Sequence, residues 1–185
     1  MHALPLVTNQ LIMQKFGDDQ VTNQKLTPDR VITELKKNGI SHIVWLPDSE
    51  TNFMYKAMQV ENTIDIIPIC REGEALPIAA GLWIGGKKPI VMIQNTGLLE
   101  SGDSLRGMGI DLNLPILMII GYRGWNSGKE MTDTAGKFTE PMLNALGIKH
   151  YLIETNEDVN YISEAIIEAE SSQMPVACLM GSEYS

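Results

Sequence analysis

The sequence predicts a doubly wound α/β domain with a mostly parallel, six-stranded sheet flanked by helices. From Thr27 onward, strand-like and helix-like segments alternate, which is typical of strand–helix–strand units. Several strand-like segments are continuous apolar runs without alternation, as expected for parallel strands that are buried on both faces. The length of 185 residues suits one domain with a full core.

The first helix has a clear start signal. Thr27, Pro28 and Asp29 supply in turn a capping hydroxyl, a proline for the first helical position and an acid for the first turn. Gly39 then ends the helix, because glycine tolerates the conformation that often follows a last helical turn. Further helices are predicted over residues 52–60, 73–84, 98–108, 134–146 and 159–170.

Each predicted strand is a short apolar run bounded by polar or turn-forming residues. The strands are predicted over residues 42–46, 64–69, 90–93, 114–120, 151–153 and 175–180. A polar stretch over residues 125–134 is long enough to be a functional loop. Residues 1–26 are amide-rich and weakly patterned, so we interpret them as an N-terminal arm with a short helix over 6–16, preceding a single domain over 27–185.

Composition excludes several classes of partner. The formal net charge of −9 argues against nucleic acid and anionic membranes. No apolar run is long enough to span a bilayer, and no secretory signal is evident at the N-terminus. Cys70 and Cys178 lie in apolar strand-like runs and are expected to be buried thiols in a reducing compartment. We therefore expect a cytoplasmic protein.

Four strand-to-helix loops carry the candidate functional residues. In a doubly wound sheet such loops lie together at the carboxyl ends of the strands, where open α/β sheets bind ligands. The loops are Pro47-Asp48-Ser49, Cys70-Arg71-Glu72, Gln94-Asn95-Thr96-Gly97 and Tyr122-Arg123-Gly124. Glu72 is the most informative of these residues, because a carboxylate at the mouth of an otherwise apolar helix is poorly solvated.

This set of loops resembles the pyrimidine-binding domain of thiamine diphosphate-dependent 2-oxoacid decarboxylases, and most resembles the alpha subunits of sulfopyruvate decarboxylase and related phosphonopyruvate decarboxylases. The resemblance extends from about Thr27 to the C-terminus. Its most specific parts are Leu46-Pro47-Asp48-Ser49, Arg71-Glu72-Gly73-Glu74-Ala75 with Ala79-Ala80-Gly81, and Gln94-Asn95-Thr96-Gly97. It implies the decarboxylation of sulfopyruvate or phosphonopyruvate to the corresponding aldehyde and CO2.

The resemblance assigns the main catalytic role to Glu72. In that family a glutamate at the start of this helix bonds the N1′ atom of the cofactor's aminopyrimidine, and a glycine follows nine residues later. Glu72 and Gly81 have this spacing, whereas Glu74 does not begin it. Desolvation of Glu72 favours the protonated carboxyl that this role requires, while Arg71 and the helix N-terminus favour the ionised form, so the sequence leaves its protonation state open.

The resemblance also places other residues at the site. Cofactor-binding residues would include Pro47, Gln94, Asn95, Thr96 and Gly97, and substrate-binding residues would include Ser49, Gln94, Asn95 and Arg123. Ser49 is in addition a candidate catalytic residue, and the planar fork of Arg123 suits a sulfonate, phosphonate or carboxylate. Each has a structural alternative: a local turn bond for Ser49, a loop cap for the polar residues after the third strand, and an interface ion pair for Arg123.

The chain lacks one motif of the family, Gly-Asp-Gly followed at a distance by Asn, which binds the cofactor's diphosphate and Mg²⁺. The partial matches Gly17-Asp18-Asp19 and Gly102-Asp103-Ser104 do not fit it. The resemblance therefore implies a beta subunit that carries the motif and the Mg²⁺, with the active site at the interface. It also implies homo-association of alpha subunits and a small anionic 2-oxoacid as substrate.

Other interpretations of the same sequence are open. The chain is alternatively a subunit of another thiamine diphosphate-dependent carboligase or decarboxylase, or an orphan pyrimidine-binding domain without catalytic activity. An unrelated flavodoxin-like binding protein has a similar pattern of elements. The segment from Trp125 to Met131 departs from the pattern expected for sulfopyruvate enzymes, which leaves the choice of substrate open.

Overall fold

A computed structural model describes residues 25–181 and shows helices and strands in alternation. The prediction of an arm with a helix over residues 6–16 lies outside the described residues. The strands are β1 His42–Trp45, β2 Asp65–Pro68, β3 Pro89–Gln94, β4 Leu117–Gly121, β5 His150–Ile153 and β6 Val176–Met180. The main helices are α1 Pro28–Lys37, α2 Tyr55–Val60, α3 Ala75–Ile84, α4 Asn95–Glu100, α5 Gly102–Ser104, α6 Thr134–Ala145 and α7 Asn160–Ser172.

The six strands form one sheet in the order β2-β1-β3-β4-β6-β5, and every neighbouring pair is parallel. Every residue of β1, β4 and β6 is buried, as is β3 up to its last residue, whereas the edge strands β2 and β5 are only partly covered. This difference follows from position, since an edge strand has only one neighbour. The predicted doubly wound α/β fold with a parallel six-stranded sheet is confirmed.

Helices cover both faces of the sheet. Helices α1, α2 and α7 pack on one face around a cluster that includes Leu35, Ile43 and Met92. Helices α3, α4 and α6 pack on the other face around a cluster that includes Leu76, Ile93 and Met118. No helix within residues 25–181 combines the length and apolar character that crossing a membrane requires.

Three local predictions differ from the structure. Thr27 is the N-cap residue of α1, but its hydroxyl donates to Oδ1 of Asn156 at 3.2 Å and does not cap the helix. The segment over 98–108 was expected to be one helix after a turn, but helix α4 begins earlier, at Asn95, and the chain continues through α5 into a π-helical turn over Leu105–Ile110. Asn and Gly favour turns in isolation, but here Asn95 and Gly97 are buried against other loops, and tertiary packing overrides the local preference. Cys70 was expected to be buried and is exposed, because it lies beyond the end of edge strand β2; Cys178, in central strand β6, is buried as expected.

A buried acid joins the first and last helices. Glu34 is 4% exposed, and its carboxylate accepts hydrogen bonds from Ser163 of α7 and from Lys37, whose Nζ lies 2.9 Å away. Burial by itself would raise the pKa of Glu34, but the bonds from Ser163 and Lys37 outweigh it and hold that pKa below its usual value.

Replacing Glu34 by glutamine is expected to lower the free energy of unfolding at neutral pH by about 1–3 kcal/mol, because Lys37 and Ser163 then lose a charged acceptor. The pKa of Glu34 is lower in the folded protein than in the unfolded chain. Its stabilisation is therefore present above the unfolded-chain pKa of about 4.3, and it is lost as the pH falls through the pKa of the folded protein. Urea unfolding at several pH values measures the difference in the free energy of unfolding between the variant and the wild type. The exposed Glu164→Gln is the control, and equal losses for both variants would contradict the role of Glu34.

Candidate active site

The strand order defines a crevice at the carboxyl ends of β1 and β3. From β1 the chain passes to β2 at one edge of the sheet, whereas from β3 it passes to β4 in the opposite direction. The two loops therefore leave toward opposite faces and open a gap between them. Open α/β sheets bind ligands at such a reversal of strand order.

Glu72 lies at this crevice although it follows β2 rather than β1 or β3. A Cβ atom added at Gly97 would lie 2.2 Å from the Cγ of Glu72 and 2.8 Å from its Cδ, so the glutamate side chain rests directly on the glycine. Within residues 25–181 no hydrogen bond or ion pair engages its carboxylate. The structure thus brings Glu72 and Gly97 together and leaves the acid available to a ligand.

Glu100 holds the residues on either side of Glu72. Its Oε1 lies 2.6 Å from the Nε of Arg71, and a Cβ atom added at Gly73 would lie 3.0 Å from its Oε2. The hydrogen bond to Glu100 raises the pKa of Arg71. Gly97 and Glu100 are three residues apart in α4 and therefore lie on the same face of the helix. Gly97 contacts Glu72, and Glu100 contacts Arg71 and Gly73. Sequence reasoning did not single out Glu100.

Asp48 organises the loop after β1. Its Oδ1 accepts the backbone N–H groups of Glu50 and Thr51, each at 2.8 Å. Its Oδ2 accepts the Thr51 hydroxyl at 2.8 Å, and that hydroxyl in turn accepts the indole N–H of Trp45 at 2.8 Å. These bonds give Asp48 a structural role that fixes the loop carrying Ser49.

The same loop extends across the crevice to β4. A Cβ atom added at Gly121 would lie 2.5 Å from the Cβ of Glu50. Ser49 is exposed, and its hydroxyl donates to Glu50 Oε1 at 3.4 Å. Glu50 is thus a second carboxylate at the strand ends that sequence reasoning did not select. Pro47 lies apart from this group, on the wall of a cavity of about 580 Å³ between α2 and β2.

Two buried acceptor oxygens lie where β3 meets α4. Within the described part of the chain, Oε1 of Gln94 and Oδ1 of Asn95 have no hydrogen-bond donor. The Asn95 side chain is fully buried, and its Nδ2 donates to the backbone oxygen of Arg123 at 2.9 Å and to Thr139 Oγ1 at 3.1 Å. Thr96 is partly buried. A buried acceptor without a donor is costly, and of the two residues only Gln94 is partly exposed toward the crevice end of β3.

Arg123 follows β4 and is half exposed, with 51% of its side chain accessible. Its Nε lies 3.0 Å from Oδ2 of Asp133, the residue that caps α6. No other residue within 25–181 bonds the guanidinium group. The ion pair therefore engages one edge of the arginine fork and leaves its terminal nitrogens available.

Trp125 closes the carboxyl ends of the strands beyond β4. It stacks on Tyr122 with ring centroids 5.1 Å apart, donates to Glu154 at 2.8 Å, and occupies the space that a Cβ atom at Gly181 would need. Burial, together with a hydrogen bond to Glu140, raises the pKa of Tyr122 well above its usual value. Trp125 therefore covers the carboxyl ends of the strands beyond β4, and the crevice beside Glu72 is left uncovered.

The fold is thus an α/β fold with a crevice at the carboxyl ends of its strands, the place where open α/β sheets bind ligands, and Glu72 lies there without a hydrogen-bond or ion-pair partner among residues 25–181. No family model matches the chain. It is 29% identical to sulfopyruvate decarboxylase subunit alpha of Methanocaldococcus jannaschii over 162 residues, which are 83% of this chain and 92% of the relative. It is 30% identical over 122 residues to the subunit of the same name from Methanothermobacter thermautotrophicus, covering 64% of this chain and 68% of the relative.

The chain belongs to the family of sulfopyruvate decarboxylase alpha subunits. It is also 24% identical over 122 residues to phosphonopyruvate decarboxylase of Streptomyces viridochromogenes, although it spans only 31% of that longer protein. The family resemblance found in the sequence is therefore confirmed, and the chain is a decarboxylase subunit. The alternatives of another carboligase and of an orphan binding domain are not favoured by these relatives.

Proposed function

We propose that this chain is the alpha subunit of a heteromeric, thiamine diphosphate-dependent decarboxylase that converts sulfopyruvate or phosphonopyruvate to the corresponding aldehyde and CO2. The observation that carries the proposal is the free carboxylate of Glu72, which rests on Gly97 at the crevice between β1 and β3. The names of the related proteins support the reaction and the two candidate substrates.

The residues at the crevice fit an aminopyrimidine. Such a ring has a basic nitrogen, which needs an acid, and an exocyclic amino group, which needs acceptors. Glu72 would supply the acid, and Gln94 Oε1 and Asn95 Oδ1, which have no donor among residues 25–181, would supply acceptors once side-chain movement exposes them. When bound, thiamine diphosphate would supply the carbon nucleophile for the 2-oxo group and would accept the electron pair that stays behind when CO2 leaves. Glu72 would hold a proton at N1′ of the ring, and Gly97 lets that carboxyl approach closely.

The other predicted residues have narrower roles in this proposal. Ser49, exposed on the loop that Asp48 organises, would orient the substrate, and Thr96, at the start of α4, would contact the cofactor. Arg123 would bind an anionic group of the substrate through its free terminal nitrogens. Gly97 acts through the space that it leaves for Glu72. Pro47 would contribute through the loop it begins, since its side chain lines the separate cavity.

The outer face of α3 supports a requirement for partner subunits. This helix has no charged side chain, and apart from the indole N–H of Trp83 it is apolar on every side, as buried helices are. Ala79 and Ala80 face the core, but Ile84 is 73% exposed, and no atom of residues 25–181 lies within 4 Å of a Cβ placed at Gly81. Since α3 begins directly after Glu74, a subunit that covers the whole outer face of the helix, from Ile84 back to its first turn, would reach the crevice. We assign the outer face of α3 to the beta subunit, which would bind the diphosphate and Mg²⁺. Alpha subunits would associate with one another through other surfaces.

The test is to co-express the full chain with the beta-type subunit that carries Gly-Asp-Gly and the distant Asn. The complex, supplied with thiamine diphosphate and Mg²⁺, is expected to release CO2 from sulfopyruvate or phosphonopyruvate, and neither subunit alone is expected to do so. A coupled assay for CO2, with pyruvate as a third substrate, measures this. A purified complex that releases CO2 from none of the three would refute the proposal.

A matched pair of variants tests the contact surface in the same experiment. Ile84→Glu places a charge on the outer face of α3 and should prevent co-purification of the two subunits. Ile167→Glu makes the same change on α7, where Ile167 is 63% exposed on the opposite face of the sheet, and should leave the complex intact. Equal yields of complex with both variants would exclude α3 as the contact.

A further inference from the structure

We propose that Asp133 is a positioning residue that orients Arg123 toward the second anionic group of the substrate, the sulfonate or phosphonate rather than the carboxylate that leaves as CO2. This inference rests on the proposed function and concerns how the same site selects its substrate. It is carried by the contacts that fix an exposed arginine at its backbone and at one edge of its guanidinium.

The backbone of Arg123 is fixed from two sides. The fully buried Asn95 donates to its carbonyl oxygen at 2.9 Å, and Asn95 is itself bonded to Thr139 at 3.1 Å. Gly136 approaches the same carbonyl so closely that a Cβ atom there would lie 3.0 Å from the oxygen. A contact from α4 and a contact from α6 thus meet at one peptide group.

Asp133 fixes the side chain. Its Oδ1 accepts the N–H of Ala135 at 2.8 Å and caps α6, while its Oδ2 lies 3.0 Å from the Nε of Arg123. Gly124, with a φ of +82°, permits this approach, because a Cβ atom there would lie 2.6 Å from the Cβ of Asp133. The carboxylate is held by the helix end and in turn holds the arginine.

Stability alone does not account for this arrangement. The Arg123 side chain is 51% exposed, and ion pairs at exposed positions contribute little to folding. A buried amide and two close glycine contacts nevertheless converge on the arginine and its partner. The guanidinium, held at one edge, is therefore placed to bond a group beyond the described residues, and its two terminal nitrogens match two oxygens of a sulfonate or phosphonate.

The reaction itself indicates which of the two anionic groups of the substrate Arg123 binds. The carboxylate loses its charge as CO2 departs, so an arginine bonded to it would stabilise the ground state more than the transition state and slow the reaction. The sulfonate or phosphonate keeps its charge throughout. Arg123 therefore contributes to affinity and to the choice of substrate, and Asp133 acts through it.

The test compares binding and turnover in Asp133→Asn. Asparagine still caps a helix but has no charge with which to hold Arg123. In the assembled complex, isothermal titration with 3-sulfopropionate, a substrate analogue without the 2-oxo group, is expected to show a Kd raised about tenfold. KM for sulfopyruvate should rise in parallel while kcat changes less than about twofold. Glu130→Gln removes a charge from the same loop and is expected to leave Kd unchanged.

A double-mutant cycle separates positioning from a purely structural role. If Asp133 acts through Arg123, Asp133→Asn should have no further effect on Kd in an Arg123→Met background; an equal additional effect there would overturn the proposal. An unchanged Kd in Asp133→Asn alone would overturn it as well, and leave the proposed function intact. A wild-type complex without decarboxylase activity would refute the proposed function instead, while an Asp133-dependent Kd for 3-sulfopropionate would still support the anion site.

Discussion

Replacing Glu72 by glutamine is expected to lower kcat of the assembled complex by about a hundredfold or more, in the range that a positioned proton-transfer group contributes. Glutamine has nearly the same shape, but its amide cannot hold a proton for a ring nitrogen as a carboxyl does. Folding should be unaffected, because within residues 25–181 no hydrogen bond or ion pair engages this carboxylate. The effect should therefore appear in the chemical step and not in the yield of complex.

Steady-state kinetics with sulfopyruvate, together with thermal melting of the complex, measures this prediction. Glu74→Gln is the matched control, because Glu74 is an exposed acid at the end of the 3-10 turn Glu72–Glu74 that Glu72 begins. Its kcat should stay within about twofold of wild type, as is usual for surface substitutions away from a site. Turnover by Glu72→Gln at the wild-type rate would show that Glu72 is not the catalytic acid. Glu50, the other carboxylate at the strand ends, would then be the candidate.

The fold class was predictable because its signal is local. Strands β3, β4 and β6 are apolar runs without alternation, and such runs indicate burial on both faces wherever they lie in the sheet. The order of the strands is not local, and no pattern along the chain indicates which pair forms an edge. Cys70 shows the consequence: its apolar surroundings in sequence predict burial, but its place after edge strand β2 leaves it exposed.

The position of the candidate site was predictable for a similar reason, and its internal contacts were not. Carboxyl ends of parallel strands meet at one edge of a sheet, so the loops after them can be grouped from the sequence. The grouping does not reveal that Asp48 organises its own loop, that Asn95 bonds the backbone of Arg123, or that Asp133 holds its side chain. These contacts join residues from different elements. Asn95, Arg123 and Asp133 meet only because α4 packs against α6.

The contact between Gly97 and Glu72 makes a second strong prediction, which concerns a residue with no functional group. Replacing Gly97 by alanine places a Cβ atom 2.2 Å from the Cγ of Glu72, a separation that two carbon atoms cannot sustain. The glutamate must therefore move, and a displacement of about 1 Å at a catalytic group can cost about a hundredfold in rate. We expect kcat to fall by that order, and stability to fall by about 1–3 kcal/mol from overpacking.

Two comparisons show whether this loss acts through Glu72. Gly107→Ala adds the same methyl group where nothing lies within 4 Å, and it should leave kcat unchanged. In a Glu72→Gln background, Gly97→Ala should reduce kcat by much less than it does alone, because the acid that it displaces has already lost its proton-holding function. Equal losses in both backgrounds would mean that Gly97 serves the crevice independently of Glu72. The glycine and the acid would then be two separate requirements of the site, joined only by their closeness in space.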